Sequence, residues 1–348
     1  MLRPPPIGDA PHKLCDWVEL AVIGNVRGTY NLANLVRYRD TTRETEDADI
    51  EGEFRRERDT DTEGVSGGDG DAFYDSLVEQ FAEREEALGD AYPFDVNSRG
   101  VVTLHLPADW GGYLYLFCLL LSYSNDIDLL DGRWRPQVTN RIRDLFQACA
   151  TVAAAAEVRG HAYSFGWPRP DNNPPFLAKL KVVYEHFGDG KVRPVRRVGL
   201  SPFAKDEEID VIAWRPRRDR AAGTLYLLGQ VASGDNWMGK SIHGAPIANF
   251  HRNWFDPSPA SNVAGCIFIP RLIESADPQG TRRDGMDVQT VRYGTIFDRL
   301  RVPLLVQEGV QLSHSPEGST WVIERINELQ AVCDWTIGEI SALHTHVA

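Results

Sequence analysis

Long apolar runs are missing from this chain of 348 residues. The longest, Tyr113 to Leu121 ("YLYLFCLLL"), has nine residues, far short of the roughly 20 that span a bilayer. No membrane partner is expected. The opening stretch "MLRPPPIGDAPHK" has no apolar segment of the kind that directs secretion, which predicts a cytoplasmic protein. Cysteine is scarce: Cys15, Cys118, Cys149, Cys266 and Cys333 are scattered, with no CxxC pair. They read as reduced, buried thiols, and because no Cys or His pair has ligand spacing, a zinc site is not expected. Lysine is the rarest charge, six of 37 basic residues. Such a bias often reflects genome composition, so abundant arginine is weak ground for DNA binding. There is no H-E-x-x-H helix, which removes one common hydrolase design.

What is present is an uneven acidity. The net charge of −13 belongs to residues 1–134, which hold 12 basic and 27 acidic residues; the remainder has a balance of +2. The C-terminal part is therefore free to carry a basic face, whereas the N-terminal part repels polyanions. Two domains are expected: an acidic, mainly helical module over 1–134, with a flexible insertion at 40–71, and an α/β domain over 135–348. The insertion is assigned because that segment is dense in Asp, Glu, Arg, Thr and Gly and nearly empty of apolar side chains. Helical spacing marks 14–38, 72–89, 110–123, 137–159, 176–187, 288–300 and 319–345. Strands are predicted at 101–106, 192–198, 209–214, 225–232, 264–271 and 302–307. The 209–214 and 225–232 runs are joined by the polar "RPRRDRAAG" and predict a hairpin.

The stretch "LGQVASGDNWMGKS" (228–241) admits two chemistries. Gly234, Gly239, Lys240 and Ser241 satisfy G-x-x-x-x-G-K-[ST], the phosphate-loop pattern of an NTPase. That loop needs small residues and a helix starting at once, so that backbone N–H groups and the helix dipole wrap the phosphates. Asp235, Asn236, Trp237 and Met238 fill it instead, and Gly244 and Pro246 would cut the helix off within its first turns. The other chemistry is metal-dependent phosphodiester hydrolysis, which needs hard oxygen ligands and a nearby cation. Asp210 opens one strand and Gln230 ends the next, and adjacent antiparallel strands place two such side chains on one face. Lys240 lies eight residues beyond the strand, and Glu157 on the preceding helix offers a further carboxylate.

On these residues the chain resembles the PD-(D/E)-x-K phosphodiesterase superfamily, the restriction-endonuclease-like fold, over roughly residues 137–270. The resemblance implies a mixed sheet flanked by helices, with Asp210 and Gln230 as ligands of Mg²⁺ or Mn²⁺, assisted by Glu157. Gln147 in "LFQ" competes with Glu157 for the helix position. The usual lysine position falls on Ala232, a departure; branches with "Q-x-A-x-G…W…K" take the lysine from the following helix, and Gly234, Trp237 and Lys240 match that form. The hairpin tip (Arg215, Arg217, Arg218, Arg220) would then suit phosphate contacts. By resemblance the expected activity is a DNA endonuclease of prokaryotic antiviral defence, working beside a helicase or ATPase, with self-association left open. A catalytically inactive nuclease fold that binds DNA or a protein remains the first alternative, and the phosphate-loop NTPase the second.

Overall fold

The computed structural model describes residues 2–54, 67–124, 126, 129–130, 135–170, 172–201, 207–219, 221–277 and 280–347, with backbone alone at 44–54, 67–69 and 345–347. The chain forms two compact units, one of residues 1–106, 125–135 and 338–348, the other of 107–124 and 136–337. Among the described residues there are ten α-helices and two sheets, and no helix is long and apolar enough to cross a membrane.

The first unit contains α1 (Pro11–Gly24), β1 (Thr29–Asn31), α2 (Leu32–Phe54), α3 (Gly67–Leu88), β2 (Phe94–Val96) and β3 (Val101–Leu104). Its strands form an antiparallel sheet in the order β1-β3-β2. Helix α1 begins with Pro11, a position whose missing N–H would have had no partner anyway. Two of its acids are buried, and Arg84 of α3 reaches both, Asp16 at 2.7 Å and Glu19 at 2.6 Å. Tyr92 donates a further hydrogen bond to Glu19. Residues 40–54 prolong α2 and 67–71 open α3, so these parts of the segment expected to be a flexible insertion are helical. Glu and Arg are good helix formers even where they bury nothing. Residues 55–66 lie outside the described ones.

The second unit holds α4 (Trp110–Tyr123), α5 (Asn140–Val158), β4 (His161–Ser164), α6 (Phe176–Phe187), β5 (Val211–Trp214), β6 (Tyr226–Val231), α7 (Ala245–Trp254), β7 (Val263–Phe268), α8 (Arg282–Tyr293), β8 (Thr295–Phe297), α9 (Val302–Ser313) and the first half of α10 (Leu329–Val347). Its sheet is mixed, in the order β4-β5-β6-β7-β8: the first three strands are antiparallel and the last three parallel. The expected α/β class and the β5–β6 hairpin are both present. On one face the alanine-rich α5 packs with α4 and α9 over Val211, Ala213, Leu227 and Phe268. On the other, α6 and α7 cover Ile212, Trp214, Tyr226 and Leu228.

Five predicted elements differ. The helical run over 14–38 is split, since α1 ends at Gly24 and β1 intervenes before α2. The run at 302–307 is the start of helix α9, not a strand: Val302, Val306 and Gly309 are buried at helical spacing and Pro303 sits in the first turn. Residues 192–198 form no strand beyond a single bridge from Val192 to Phe255, because Pro194 cannot donate to a ladder. The helix expected over 288–300 runs earlier, from a capping box at Thr281 and Asp284 to Gly294, whose φ of 72° ends it. The last helix starts at Leu329 rather than 319. Before it, Ile323 bridges Ala162 in parallel fashion.

Candidate functional site

Asp210 stands where β5 begins, and the ladder is distorted there. Its N–H donates to Gly229 O at 2.8 Å although Gly229 is the register partner of Val211, so two residues oppose one, as in a β-bulge. The side-chain alternation breaks at the same point, since Ile209 and Ile212 face one cluster and Val211 the other. The carboxylate is thereby turned to the ladder itself. Its Oδ2 accepts Val231 N–H at 2.7 Å, and its backbone oxygen accepts Phe165 N–H at 2.7 Å.

Oδ1 meets Gln147 of α5. A Cβ placed on Gly166 would lie 2.3 Å from Asp210 Oδ1, 2.7 Å from Gln147 Oε1 and 2.8 Å from its Nε2. The carboxylate and the amide are therefore both packed against the Cα of Gly166, side by side, with no room for a Cβ. Gln147 is buried and its Nε2 donates to Ser164 Oγ at 2.8 Å, which orients the amide and leaves Oε1 as its acceptor end.

Gln230 sits one residue before the Val231 N–H that Asp210 accepts. It is 6% exposed, and its Oε1 is buried without a hydrogen-bond partner. An acceptor stranded in this way costs about 1–3 kcal/mol unless something fills its place. The two side chains do not project from one face as expected. By alternation Gln230 shares the face of Leu228, while the bulge holds Asp210 at the level of the ladder.

The remaining predicted residues lie elsewhere. Glu157 is exposed and ten residues beyond Gln147 on α5, about 15 Å along the axis, so Gln147 and not Glu157 reaches Asp210. Ala232, at the usual lysine position, is buried in an apolar cluster with Ile267, Ile269 and Met286, a setting that penalises a charged amine. Lys240 comes directly after a 3-10 turn over Asp235–Gly239. It is half-buried and makes no side-chain hydrogen bond or ion pair among the described residues, including none to Asp210, Gln147 or Gln230. The turn is docked rather than open: Trp237 packs against Tyr293 at 5.4 Å, and Ser241 donates to Arg292 O at 2.7 Å. Helix α7 starts only at Ala245, so the segment lacks the immediate helix N-terminus that a phosphate loop requires. His251 bonds Tyr226 and is held below its ordinary pKa by burial, and Trp254 is a core residue.

The arginine-rich hairpin tip is at the far end of β5. Arg215 donates to Val158 O, Arg217 and Arg218 are exposed, and Arg220 lies outside the described residues. Four strand residues separate the tip from Asp210, about 13 Å. Arg215 and Arg217 instead line a cavity of about 510 Å³ with His161, His186 and Trp214. Burial, reinforced by His186 beside it, lowers His161 to about 4, and its Nδ1 accepts Val322 N–H.

Three residues of note were not singled out by sequence. Gly166 is one glycine among 30, with no pattern around it to mark it. Ser164, which orients Gln147, is likewise unmarked. Arg143, one turn before Gln147, donates to Ser233 O at 3.3 Å and sets a cation over the end of β6; the i, i+4 spacing to Gln147 was the available signal. Among the described residues no three His, Cys, Asp or Glu side chains gather into a metal-holding group; the donors around Asp210 are one carboxylate and side-chain amides. The chain matches no known family model, no curated protein and no solved structure.

Proposed function

We propose that the chain is a metal-dependent phosphodiesterase that hydrolyses DNA, with a restriction-endonuclease-like second unit. The observation that carries this reading is that a carboxylate, Asp210, and a side-chain amide, Gln147, come together against Gly166 at the bulge where β5 begins. The partnerless Gln230 Oε1 on the next strand supports it. All three are hard oxygen donors, the kind that Mg²⁺ or Mn²⁺ takes, and one carries the negative charge. Asp210 and Gln147 would hold the ion; Gln230, on the other face of the sheet, would reach it only through the end of β6, and water would fill the remaining positions. When bound, such an ion supplies positive charge to the phosphate as it is attacked.

The chain's own groups do the rest. Val231 N–H and the bulge keep the Asp210 carboxylate aimed. Ser164 holds the Gln147 amide in its rotamer. Arg143, held just past the end of β6 by Ser233 O, would neutralise a phosphate or steady its developing charge, and Lys240 would be a second cation on the segment that follows. On this reading the lysine would come from outside the strand, since the usual position is the buried Ala232. The defence role and an ATPase companion rest on the sequence resemblance alone.

The test is cleavage of supercoiled and linear DNA with Mg²⁺ or Mn²⁺. Nicking is expected in the wild type, with at least a hundredfold loss in Asp210→Ala and Gln147→Ala. A wild-type chain that binds DNA but leaves it intact with either ion would overturn the enzyme and leave a binding module.

A further inference from the structure

The loop just after Gly166 carries an unusual surface. Trp167, the next residue, is 47% exposed, yet its indole is braced from behind. The Arg169 guanidinium lies 5.9 Å from the Trp167 ring, 5.1 Å from Phe165 and 5.6 Å from Phe176, and is itself 4% exposed. Arg169 also donates to Pro174 O, which ties the loop back on itself. An indole left about half exposed beside a buried guanidinium keeps a large apolar face in water that burial would have stabilised, so the face is available to a ligand.

Beside it lies a groove of about 550 Å³, lined by Trp167, Arg169, Phe176, Val195, Arg196 and Trp254 among others. No described carboxylate lines it. Arg196 is exposed and makes no ion pair among the described residues, and Val195 next to it is 70% exposed. The chemistry is a flat apolar face flanked by fixed positive charge, and the volume is that of one small ligand, too small to admit a duplex. A flat π-face with an anionic tether fits it, which is one nucleotide of a nucleic-acid strand: the base on the indole, the phosphate on a guanidinium. A base is free to stack in this way only when it is unpaired.

We propose that the Trp167–Arg196 groove binds an unpaired nucleotide of the substrate strand, with Trp167 as the stacking platform and Arg196 as the phosphate contact. The choice of nucleic acid rests on the phosphodiesterase reading, since Gly166 of the candidate centre is the residue before Trp167. The groove would make a single strand, a frayed end or a flipped base the preferred substrate over intact duplex, and Arg169, buried beside Trp167, acts as a positioning residue.

The experiment is fluorescence anisotropy of a labelled single-stranded 12-mer and of the same sequence as duplex, in EDTA so that nothing is cleaved, with the full chain. Wild type is expected to bind the single strand more tightly than the duplex. Trp167→Ala should weaken single-strand binding roughly five- to hundredfold, the range that base stacking on one aromatic commands. Trp167→Phe should recover most of it, a rescue that a merely structural role would not give, and Arg196→Ala should weaken binding and flatten its salt dependence. Unchanged single-strand affinity in Trp167→Ala, or no binding of the 12-mer by wild type, overturns the proposal. Trp167-dependent binding in a wild type that no ion induces to cleave would remove the phosphodiesterase reading and leave this one standing. Cleavage that is indifferent to Trp167 would do the reverse.

Discussion

A single missing Cβ organises the candidate centre. At Gly166 an alanine methyl would fall 2.3 Å from Asp210 Oδ1 and against both polar atoms of Gln147, well inside contact distance. Gly166→Ala should therefore leave the chain folded, because the obstacle is two side-chain ends and not backbone, but displace the donors. A displacement of about 1 Å at such a centre is worth on the order of a hundredfold in rate, so metal-dependent cleavage should fall by that factor while the thermal midpoint moves by only a few degrees. Wild-type activity in Gly166→Ala would mean that Asp210 and Gln147 do not act together. Residue chemistry also sets a pH dependence at the opposite end of the sheet. Burial and the neighbouring His186 hold His161 at about 4, below its ordinary 6.5, and its Nδ1 must stay unprotonated to accept Val322 N–H. The unfolded chain thus takes up a proton that the folded chain refuses as pH falls from about 6.5 towards 4, and stability is lost across that window and is fully present above it. The urea midpoint should drop between pH 7 and pH 5, and His161→Gln, which keeps an acceptor but does not titrate, should flatten that drop.

Between elements, the contacts that matter are those that join segments far apart in sequence. Arg84 of α3 is 2% exposed and holds two buried acids of α1, so its removal strands both charges. Breaking a buried pair in this way costs about 3–5 kcal/mol, and Arg84→Met should show that loss in chemical denaturation of the first unit. Replacing the whole set by apolar residues should cost far less. Helices α5 and α9 meet closely: a Cβ on Gly309 would lie 2.8 Å from both Val152 Cγ1 and Val152 O. The backbone oxygen cannot step aside, so Gly309→Ala should push the helices apart at a cost of about 1–3 kcal/mol, read as a lower urea midpoint with an unchanged slope.

For the molecule as a whole, the question is how a chain of net charge −13 would hold a polyanion. Charges further than about 10 Å from the contact are screened at 0.1 M salt, whereas a guanidinium touching a phosphate is not. Local contacts therefore outweigh the distant acidity, and affinity for a DNA strand should fall as salt rises. With two or three phosphate contacts, the slope of log affinity against log salt should be about −1 to −2. An affinity that instead climbs with salt would mean that net repulsion governs the encounter and that the arginines touch no phosphate.

Residue order alone made the α/β class legible, along with α6 at its observed bounds, the buried α5, the β5–β6 hairpin and the adjacency of Asp210 and Gln230. Each of these is written in short-range spacing, period 3.6 or 2, with turn residues between. Short apolar runs carry too few repeats to separate those periods, and "VPLLVQ" therefore read as a strand although it begins α9. Other features needed the folded chain. Gln147, Gly166 and Asp210 come from three segments spread over 64 positions, and what brings them together is the β4–β5 register, a bulge and the packing of α5 on the sheet. The same is true of Gln230 Oε1: its sequence shows a polar strand residue, and only the folded chain shows that this acceptor is buried without a partner. Periodicity is a property of neighbours along the chain, whereas a site is a property of neighbours across it.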